Sequence, residues 1–442
     1  MIFTRINKAS RPGSSIAMAL VLAATGALGV SALEAPAFAK QDKEKEAKPE
    51  YSKEFMAAYS PLDQALKAEA PDYAAAKALV PALEATVKSA DEKRAAGGLI
   101  FNLANSSSDA DLRLKGIEMM LSSGKVDSDL GGQLSFAAYQ AYKDAGNIAG
   151  AREVLEGAIK SNYAFTAQMS DGSQRTIAAA DMQRMIADLY FDQGQYAEGL
   201  SYISSQIEAL KAAGQPVPES LIRSGLSQAY ENNLNRQSVE YVALLAENYP
   251  TDVTWGDAVI ITLNANSYAN PEVLDLLRLS RRTGAYNDAR VLSEYVEVLD
   301  ARRYPGEVLA AIDEGIAKGV ADGSDPFLAE TRKEAAGRVD TDRKELASLA
   351  ADARASNASL KTLVVAGDTF LSYDQPTEAE EFYTKALGMS GVETPMVLTR
   401  LGIAQYDQGK YAEAIETFGK VEGARQDIAN LWAIYAAQKS GM

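Results

Sequence analysis

The chain has 442 residues, 47% of them apolar, with no cysteine, no histidine and a formal net charge of −16. Without cysteine and histidine, catalytic triads, cysteine–histidine nucleophiles and thiolate or imidazole zinc sites are excluded, and we expect no catalytic residues, no cofactor and no metal. An acidic surface repels phosphate backbones, so nucleic acid is not an expected partner.

The first 39 residues have the pattern of a secretory signal. An apolar stretch from Ile16 to about Leu33 is followed by Ala37-Phe38-Ala39, with small residues at the two positions that a signal peptidase reads. The positive residues before it are Arg5, Lys8 and Arg11. This pattern predicts cleavage before Lys40 and a location in the periplasm of a Gram-negative bacterium. An uncleaved membrane anchor is the alternative, because the apolar stretch is long for a signal. No later segment approaches the roughly 18 apolar residues of a membrane span.

Residues 40–54, "KQDKEKEAKPEYSKE", contain almost no apolar side chains. Such a segment cannot bury enough surface to offset the entropy of ordering, so it is predicted to be a charged, disordered linker. From about residue 55 onward, apolar residues recur at helical spacing between short Gly, Pro, Asn and Asp signals. Three helix starts carry a capping side chain directly before a proline, namely Asn270, Asp325 and Thr394.

One phrase occurs twice, as "DQGQYAEG" at 192–199 and "DQGKYAEA" at 407–414. In a frame that begins at Pro395, the small and large residues around the second copy recur at fixed offsets. They are Leu398, Leu401, Gly402, Gly409, Tyr411, Ala414, Phe418 and Val421. This arrangement resembles the tetratricopeptide repeat, a family that pairs two antiparallel helices in each unit of 34 residues. The resemblance implies that small residues allow close helix approach and that the glycine forms the turn.

Further frames with the same pattern begin at Gly132, Ala180, Ser220 and Leu360, with a weaker frame from about Arg290. A final single helix from Ala429 is predicted to cap the array. The predicted organisation is degenerate helical hairpins at 55–131, repeats at 132–250, atypical helical repeats at 251–345, and C-terminal repeats with the capping helix at 346–442. The expected fold is all-α, a right-handed α-solenoid of antiparallel helix pairs forming a tetratricopeptide-like superhelix.

The segment 164–178, "AFTAQMSDGSQRTIA", interrupts the helical pattern. Its Asp171-Gly172 turn with mildly alternating flanks is compatible with a short hairpin that projects from the array. The sequence favours the alternative, an ordinary long connection, because long loops are not always functional.

Several short motifs resemble catalytic or binding signatures only in part. Ser122 and Lys125 have the Ser-x-x-Lys spacing without the companion motifs of penicillin-recognising enzymes. Asp127–Asp129 and Asp340–Asp342 lack the remaining ligands of a calcium loop, which favours caps and solvated turns. Gly409-Lys410 lacks the upstream glycine of a phosphate loop. Arg281-Arg282 is interpreted as a solvated helix end, where positive charge suits the helix dipole.

The resemblance also implies where a partner would bind. In tetratricopeptide proteins the first helix of each pair lines a concave face, and carrying those offsets over gives eight candidate residues. They are Gln140, Arg184, Asp188, Gln228, Asp368, Thr399, Ile403 and Tyr406. The lysine and asparagine set with which the family holds a terminal carboxylate is absent, so an extended peptide or a helix is the better fit.

The sequence therefore predicts a non-enzymatic periplasmic scaffold that binds a protein or peptide, with a setting in cell-envelope assembly or maintenance suggested by analogy. Two alternatives stay open. The first is a hydrolase that uses carboxylates or Ser/Lys in the atypical region 251–345, which requires a deep pocket with clustered acids of perturbed pKa. The second is a self-assembling structural protein, which requires an exposed apolar end near Trp432. The sequence does not fix the oligomeric state.

Overall fold

The structure is a computed structural model that describes residues 49–169, 172–286 and 288–441. The predicted signal and residues 40–48 of the predicted linker lie outside these residues. The linker ends earlier than expected, because Ser52 caps the first helix and Lys53 and Glu54 already belong to it.

The described residues fall into two compact units, divided between Gly199 and Leu200. The elements of the first unit are α1 (Lys53–Lys67), α2 (Tyr73–Thr86), α3 (Ala90–Ser107), α4 (Ala110–Ser122), α5 (Ser128–Asp144), α6 (Ile148–Lys160), β1 (Phe165–Gln168), β2 (Gln174–Ile177) and α7 (Ala179–Phe191). The division itself falls within α8 (Tyr196–Ala212). In the first unit α1 pairs with α2, α3 with α4, and α5 with α6.

The second unit has the same helical character throughout. Its helices are α9 (Glu219–Glu231), α10 (Asn235–Asn248), α11 (Asp252–Ala265), α12 (Asn270–Thr283), α13 (Ala289–Leu299), α14 (Pro305–Ala317), α15 (Pro326–Arg354), α16 (Leu360–Ser372), α17 (Pro376–Leu387), α18 (Thr394–Asp407), α19 (Tyr411–Phe418) and α20 (Gln426–Ser440), with a 3₁₀ turn at Gly423–Arg425 before α20. Consecutive helices pack on one another, which confirms the all-α array of helix pairs.

The repeated phrase forms the same turn in both copies. Gly194 and Gly409 adopt positive φ angles of 72° and 76°, which glycine tolerates without strain. The following amides, Gln195 N and Lys410 N, donate to the carbonyls of Tyr190 and Gln405 at 2.9 and 3.0 Å. This hydrogen bond closes the end of a helix in a Schellman motif, so in each copy one helix ends and the next begins.

The predicted small-to-large contacts hold the pairs together. A β-carbon added to Gly402 would lie 2.5 Å from the Phe418 ring, and one added to Gly367 would lie 2.5 Å from Tyr383. Gly225 packs in the same way against Tyr241, at the same separation in sequence. Neither Gly225 nor Tyr241 stands at a small or large position of the frame predicted from Ser220, so that frame is displaced from the true contact.

The weakly patterned region 55–131 uses a different close approach. Gly97 on α3 and Gly116 on α4 face each other, and a β-carbon on Gly97 would lie 2.8 Å from the carbonyl oxygen of Gly116. Two glycines at one crossing let the two backbones meet directly. The α3–α4 pair of this region therefore packs backbone to backbone rather than glycine to aromatic ring.

Two local predictions are corrected. Segment 164–178 is a hairpin and not an ordinary connection, since β1 pairs antiparallel with β2 in the register Phe165 to Ile177. Side chains alternate between the two faces of the hairpin, and Phe165, Ala167 and Ile177 lie on the buried face. Phe165 packs against Phe136 of α5. Of the three predicted caps, only Asp325 acts as one, by accepting from Leu328 N at 3.0 Å. Asn270 and Thr394 are instead the first residues of their helices.

The last helix does more than end the array. α20 packs against α10, α11, α12 and α18 as well as α19. Trp432 is fully buried, and its Nε1 donates to the backbone oxygen of Asp275 at 2.9 Å. The C-terminal helix therefore joins the last repeats of the second unit to its middle. Within the described ranges, no helix is both long and apolar enough to span a membrane.

Candidate functional site

In the first unit, the predicted face of α5 and α7 is partly open. Gln140, Arg184 and Asp188 are all half-buried. The two helices are joined at one end by an ion pair between Lys143 Nζ and Asp192 Oδ2 at 2.7 Å. Arg184 Nε is buried and makes no hydrogen bond within the described residues. Burial raises the pKa of the Asp188 carboxyl, and the nearby Arg184 only partly opposes this.

In the second unit, α9 and α11 also present accessible side chains. Gln228, the predicted position on α9, is half-buried. On α11, Val253 is 63% exposed and Ile260 is 36% exposed, which is unusual for large apolar side chains. Burial raises the pKa of Asp257, which lies between them in sequence, and Arg223 of α9 opposes the rise. Sequence reasoning missed the two apolar residues, although α11 is apolar on nearly every face.

The C-terminal candidates are not accessible. Asp368 is 6% exposed, and Thr399 and Ile403 are fully buried. Tyr406 is half-buried and its ring packs against Tyr411, Trp432 and Tyr435. The prediction that Asp368, Thr399 and Ile403 line an open groove is wrong, because that space is filled by other parts of the same unit.

Helix α12 is one of the elements that fill it. Every residue from Val397 to Gln405 of α18 is buried, and so is every residue from Val273 to Ser280 of α12. A helix that is buried all round lies inside a core and not at a surface. α12 and α18 contact each other, so the face that α18 would offer to a partner is covered from within.

A network of buried ion pairs joins these helices around Asp275. Arg400 Nε donates to Asp275 at 3.2 Å, and Arg400 Nη1 donates to both oxygens of Asp368 at 2.8 Å. Arg425 Nη1 donates to Asp275 Oδ2 at 2.5 Å, and Arg278 Nη1 donates to Asp275 Oδ1 at 3.3 Å. One carboxylate therefore receives three guanidinium groups, one from its own helix and two from residues far away in the sequence.

The network continues to Glu307 and to the end of α12. Arg278 holds Glu307 through two hydrogen bonds of 3.0 and 2.7 Å, and Tyr295 OH donates to the same carboxylate at 2.6 Å. Arg282 is ion-paired with Asp407 at 2.5 Å, and Arg281 with Glu314 at 2.8 Å. The interpretation of Arg281-Arg282 as a solvated helix end is therefore wrong.

The pairing keeps Glu307 ionised. Burial alone would raise the pKa of Glu307, but the charge and hydrogen bonds of Arg278 lower it to about 2. Burial also opposes the charge of Arg400, yet Asp275 and Asp368 raise its pKa. Removing one partner from such a network leaves an uncompensated buried charge, which is strongly destabilising.

A cavity of about 410 Å³ lies beside this network. Its charged lining residues are Arg281, Arg282, Arg343, Glu307, Glu314, Asp374 and Asp407. A general acid in such a site needs a raised pKa, but the pKa values of Glu307 and Glu314 are both lowered. Arg278 outweighs burial at Glu307, and Lys318 together with Arg281 outweighs it at Glu314. The cavity thus has the clustered acids that the hydrolase alternative requires. Neither Glu307 nor Glu314 has the raised pKa of a proton donor.

The partial motifs have structural roles. Ser122 Oγ donates to the carbonyl of Glu118 at 2.6 Å, while Lys125 Nζ lies 3.7 Å from Asp91. Asp127 caps α5 by accepting from Leu130 N at 2.9 Å, as predicted. Asp340–Asp342 lies inside α15, so its interpretation as a turn is wrong. In the described part of the chain, no group of three or more acidic side chains is arranged to hold a metal ion.

Known proteins resemble this chain in structure only. No protein-family model matches it, and no curated protein does. Among solved structures, a tetratricopeptide repeat protein from Parabacteroides merdae is 14% identical, with 62% of this chain and 99% of that chain covered and a TM-score of 0.23. The tetratricopeptide domain of P58(IPK) is 11% identical, with 88% and 98% covered and a TM-score of 0.19.

A third similar structure, Naa15/Naa10 bound to HypK-THB, is 14% identical, with 87% of this chain and 58% of that chain covered and a TM-score of 0.28. These likenesses concern the fold alone. The helix pairs of this chain have tetratricopeptide-type packing, as their shared turns and glycine–aromatic contacts show.

Proposed function

We propose that this chain is a non-enzymatic scaffold of the Gram-negative periplasm that binds a protein or peptide. The binding face in the first unit is formed by α5 and α7, with Gln140, Arg184 and Asp188 at its centre. In the second unit, α9 and α11 supply Gln228 and the apolar side chains of Val253 and Ile260. A role in envelope assembly or maintenance is part of the proposal and rests on analogy with exported repeat proteins.

The observation that carries the proposal is the state of Arg184 and Asp188. A guanidinium nitrogen that is buried without a hydrogen bond, beside a carboxyl whose pKa is raised by burial, is costly to the folded chain. A peptide that brings a carbonyl or carboxylate to Arg184 and an amide to Asp188 would satisfy both groups. The mixed polar and apolar surroundings suit an extended peptide or an amphipathic helix.

The two alternatives have less support. Two acids of the hydrolase alternative, Glu307 and Glu314, have pKa values lowered by their basic partners Arg278, Lys318 and Arg281, which does not suit a proton donor. For self-assembly, the terminal helix would need an exposed apolar end, but Trp432 and Tyr435 are buried within the second unit.

The binding proposal is tested with the chain from residue 40 to 442. A photo-crosslinking residue at Gln140 is expected to capture a discrete protein from envelope extracts, because Gln140 lies on the proposed face. The Arg184→Glu exchange should abolish the capture, whereas Lys160→Glu, at an exposed position on α6, should leave it unchanged. Equal capture by the Arg184→Glu and Lys160→Glu variants would overturn the proposed face.

The proposed location has its own measurement. Fractionation of the native host should place the chain in the periplasm, and sequencing of its N-terminus should begin at Lys40. Recovery of an intact N-terminus in the membrane fraction would instead support the anchor alternative.

A further inference from the structure

A second cleft lies in the first unit, between two consecutive helix pairs. It has a volume of about 450 Å³ and is enclosed by α4, α5, α6 and the segment that follows α6. Its lining includes Glu118 from α4, Ser135 from α5 and Glu153 from α6. None of the proposed partner-binding residues lines it, so it is a separate site.

Two glycines position the aromatic walls of this cleft. A β-carbon on Gly150 would lie 2.8 Å from the ring of Tyr142, and one on Gly131 would lie 2.7 Å from the ring of Tyr163. Each ring therefore lies directly against helical backbone where no other residue type would allow it. Tyr142 OH also donates a hydrogen bond to Glu118. The positions of the two tyrosine rings are thus fixed by packing.

The electrostatic character of the cleft is negative throughout. Among the described residues that line it, two are glutamates and none is a lysine or arginine. Burial, together with the hydrogen bond and charge of Glu118 and the charge of Glu153, raises the pKa of Tyr142 to about 12. The charges of Glu118 and Glu153 therefore both act on the Tyr142 hydroxyl in the cleft.

The cleft also holds a buried hydroxyl. Ser135 of α5 lines the cleft and is only 1% exposed. Beside it, Leu121, Val154 and Ala158 supply an apolar wall. Gly157, on the same helix as Val154 and Ala158, leaves space, because no atom lies within 4 Å of where its β-carbon would be.

We propose that this cleft binds an alkylammonium group, such as a lysine side chain or a free diamine. Carboxylates form strong charge-assisted hydrogen bonds with an ammonium group, and tyrosine rings attract it through cation–π interaction. The Ser135 hydroxyl accepts from the same group, while the apolar wall covers its methylene stem. The cleft is independent of the α5–α7 face, so its failure would leave the proposed scaffold function intact.

The test titrates the chain from residue 40 to 442 with three small probes by calorimetry. Nα-acetyl-lysine methylamide and 1,5-diaminopentane carry the ammonium group, and Nα-acetyl-norleucine methylamide carries the stem alone. The ammonium probes should bind at least about tenfold more tightly than the norleucine probe. The tighter of the two identifies a peptide side chain or a free diamine as the source. Equal binding of the norleucine probe would overturn the proposal.

Matched variants locate the binding. Glu153→Gln should weaken the ammonium probes by about threefold or more, and Gly157→Leu should weaken them by about tenfold because it fills the cleft. Glu156→Gln removes the same charge from the same helix, at a surface position paired with Arg152, and should have no effect. If Glu156→Gln weakens binding as much as Glu153→Gln, the attraction is unspecific and the site is refuted. Should Gly157→Leu fail to fold, the two glutamate variants still decide.

Discussion

Two faces were predicted from the same helical offsets: the α5–α7 face, with Arg184 and Asp188, and the α16–α18 face, with Asp368. The first is partly open and the second is covered. In the first unit, Arg184 and Asp188 stay half-buried, with an unpaired guanidinium nitrogen. In the second, Asp368 is buried under Arg400, and α12 covers the face. Both regions have turns with a positive φ angle after the first helices, at Gly146 and Gly194 in one and at Asp374 and Gly409 in the other. The repeat pattern therefore determines how two helices pair, while the charged residues decide whether the resulting face stays open.

The largest expected difference comes from breaking the charge network. Arg400→Met leaves Asp275 and Asp368 buried without one of their guanidinium partners, which should lower the free energy of unfolding by about 3–5 kcal/mol. Both tryptophans, Trp255 and Trp432, lie in the second unit, so urea unfolding followed by tryptophan fluorescence reports on it. Arg184→Met, followed by circular dichroism, should cost less than about 1 kcal/mol. A small loss for Arg400→Met would contradict the filled-groove interpretation.

Acid should destabilise the second unit through Glu307. Its pKa is lowered from 4.5 to about 2 in the folded chain, so its contribution is complete above 4.5 and is lost as the pH falls toward 2. That contribution is roughly 3 kcal/mol, from 1.36 kcal/mol for each unit of pKa. Urea midpoints of the wild type and of Glu307→Gln should therefore converge as the pH falls from 4.5. A constant gap would show that Glu307 has no role in acid sensitivity.

A smaller difference is expected from two glycine-to-alanine exchanges. Gly402→Ala places a methyl group against the Phe418 ring and should cost about 1–3 kcal/mol through overpacking. Gly157→Ala meets no neighbouring atom within 4 Å and should stabilise its helix by about 0.5–1 kcal/mol. Thermal unfolding of both variants gives the comparison. Equal effects would mean that the small-to-large contact is not the packing device of the repeat.

The smallest effect on stability is expected at Asp188. Because burial raises the pKa of this carboxyl, the wild type gains stability as the pH falls through that pKa, and Asp188→Asn should lose this pH dependence. At neutral pH the exchange should change stability by less than about 1 kcal/mol, in the stabilising direction. Capture of the partner should nevertheless decrease. Unchanged capture would separate Asp188 from the binding face.

Local features of the fold could be predicted from the sequence, because their determinants lie close together. The repeated phrase predicted the turns at Gly194 and Gly409, and the Pro395 frame predicted the contact of Gly402 with Phe418. The return of α12 onto α18 could not be predicted in this way, since Asp275 and Arg400 belong to different repeats. One signal was present: "VLDLLRLS" at 273–280 sets an aspartate and an arginine, three residues apart, within an apolar run.

The candidate site was predictable to a similar degree. Helical offsets predicted all of the candidate positions on open faces by the same rule. Gln140, Arg184 and Asp188 are half-buried, but Asp368, Thr399 and Ile403 are buried. Offsets describe a side chain's direction from its own helix and contain no information on what lies opposite. The cleft at Glu153 escaped sequence reasoning because its two tyrosines are fixed by glycines on other elements.

The position of Asp275 has a consequence for how the second unit reaches its folded state. Its carboxylate and carbonyl bind Arg400, Arg425 and Trp432, which are 125, 150 and 157 residues away in sequence. Contacts over such separations slow folding, whereas a simple stack of helix pairs can form step by step along the chain. During synthesis, Asp275 lacks two of its partners, Arg425 and Trp432, until the C-terminal segment that contains them has appeared. The second unit should therefore fold late and cooperatively, and a chain that ends before Arg425 should remain open to chaperones and proteases.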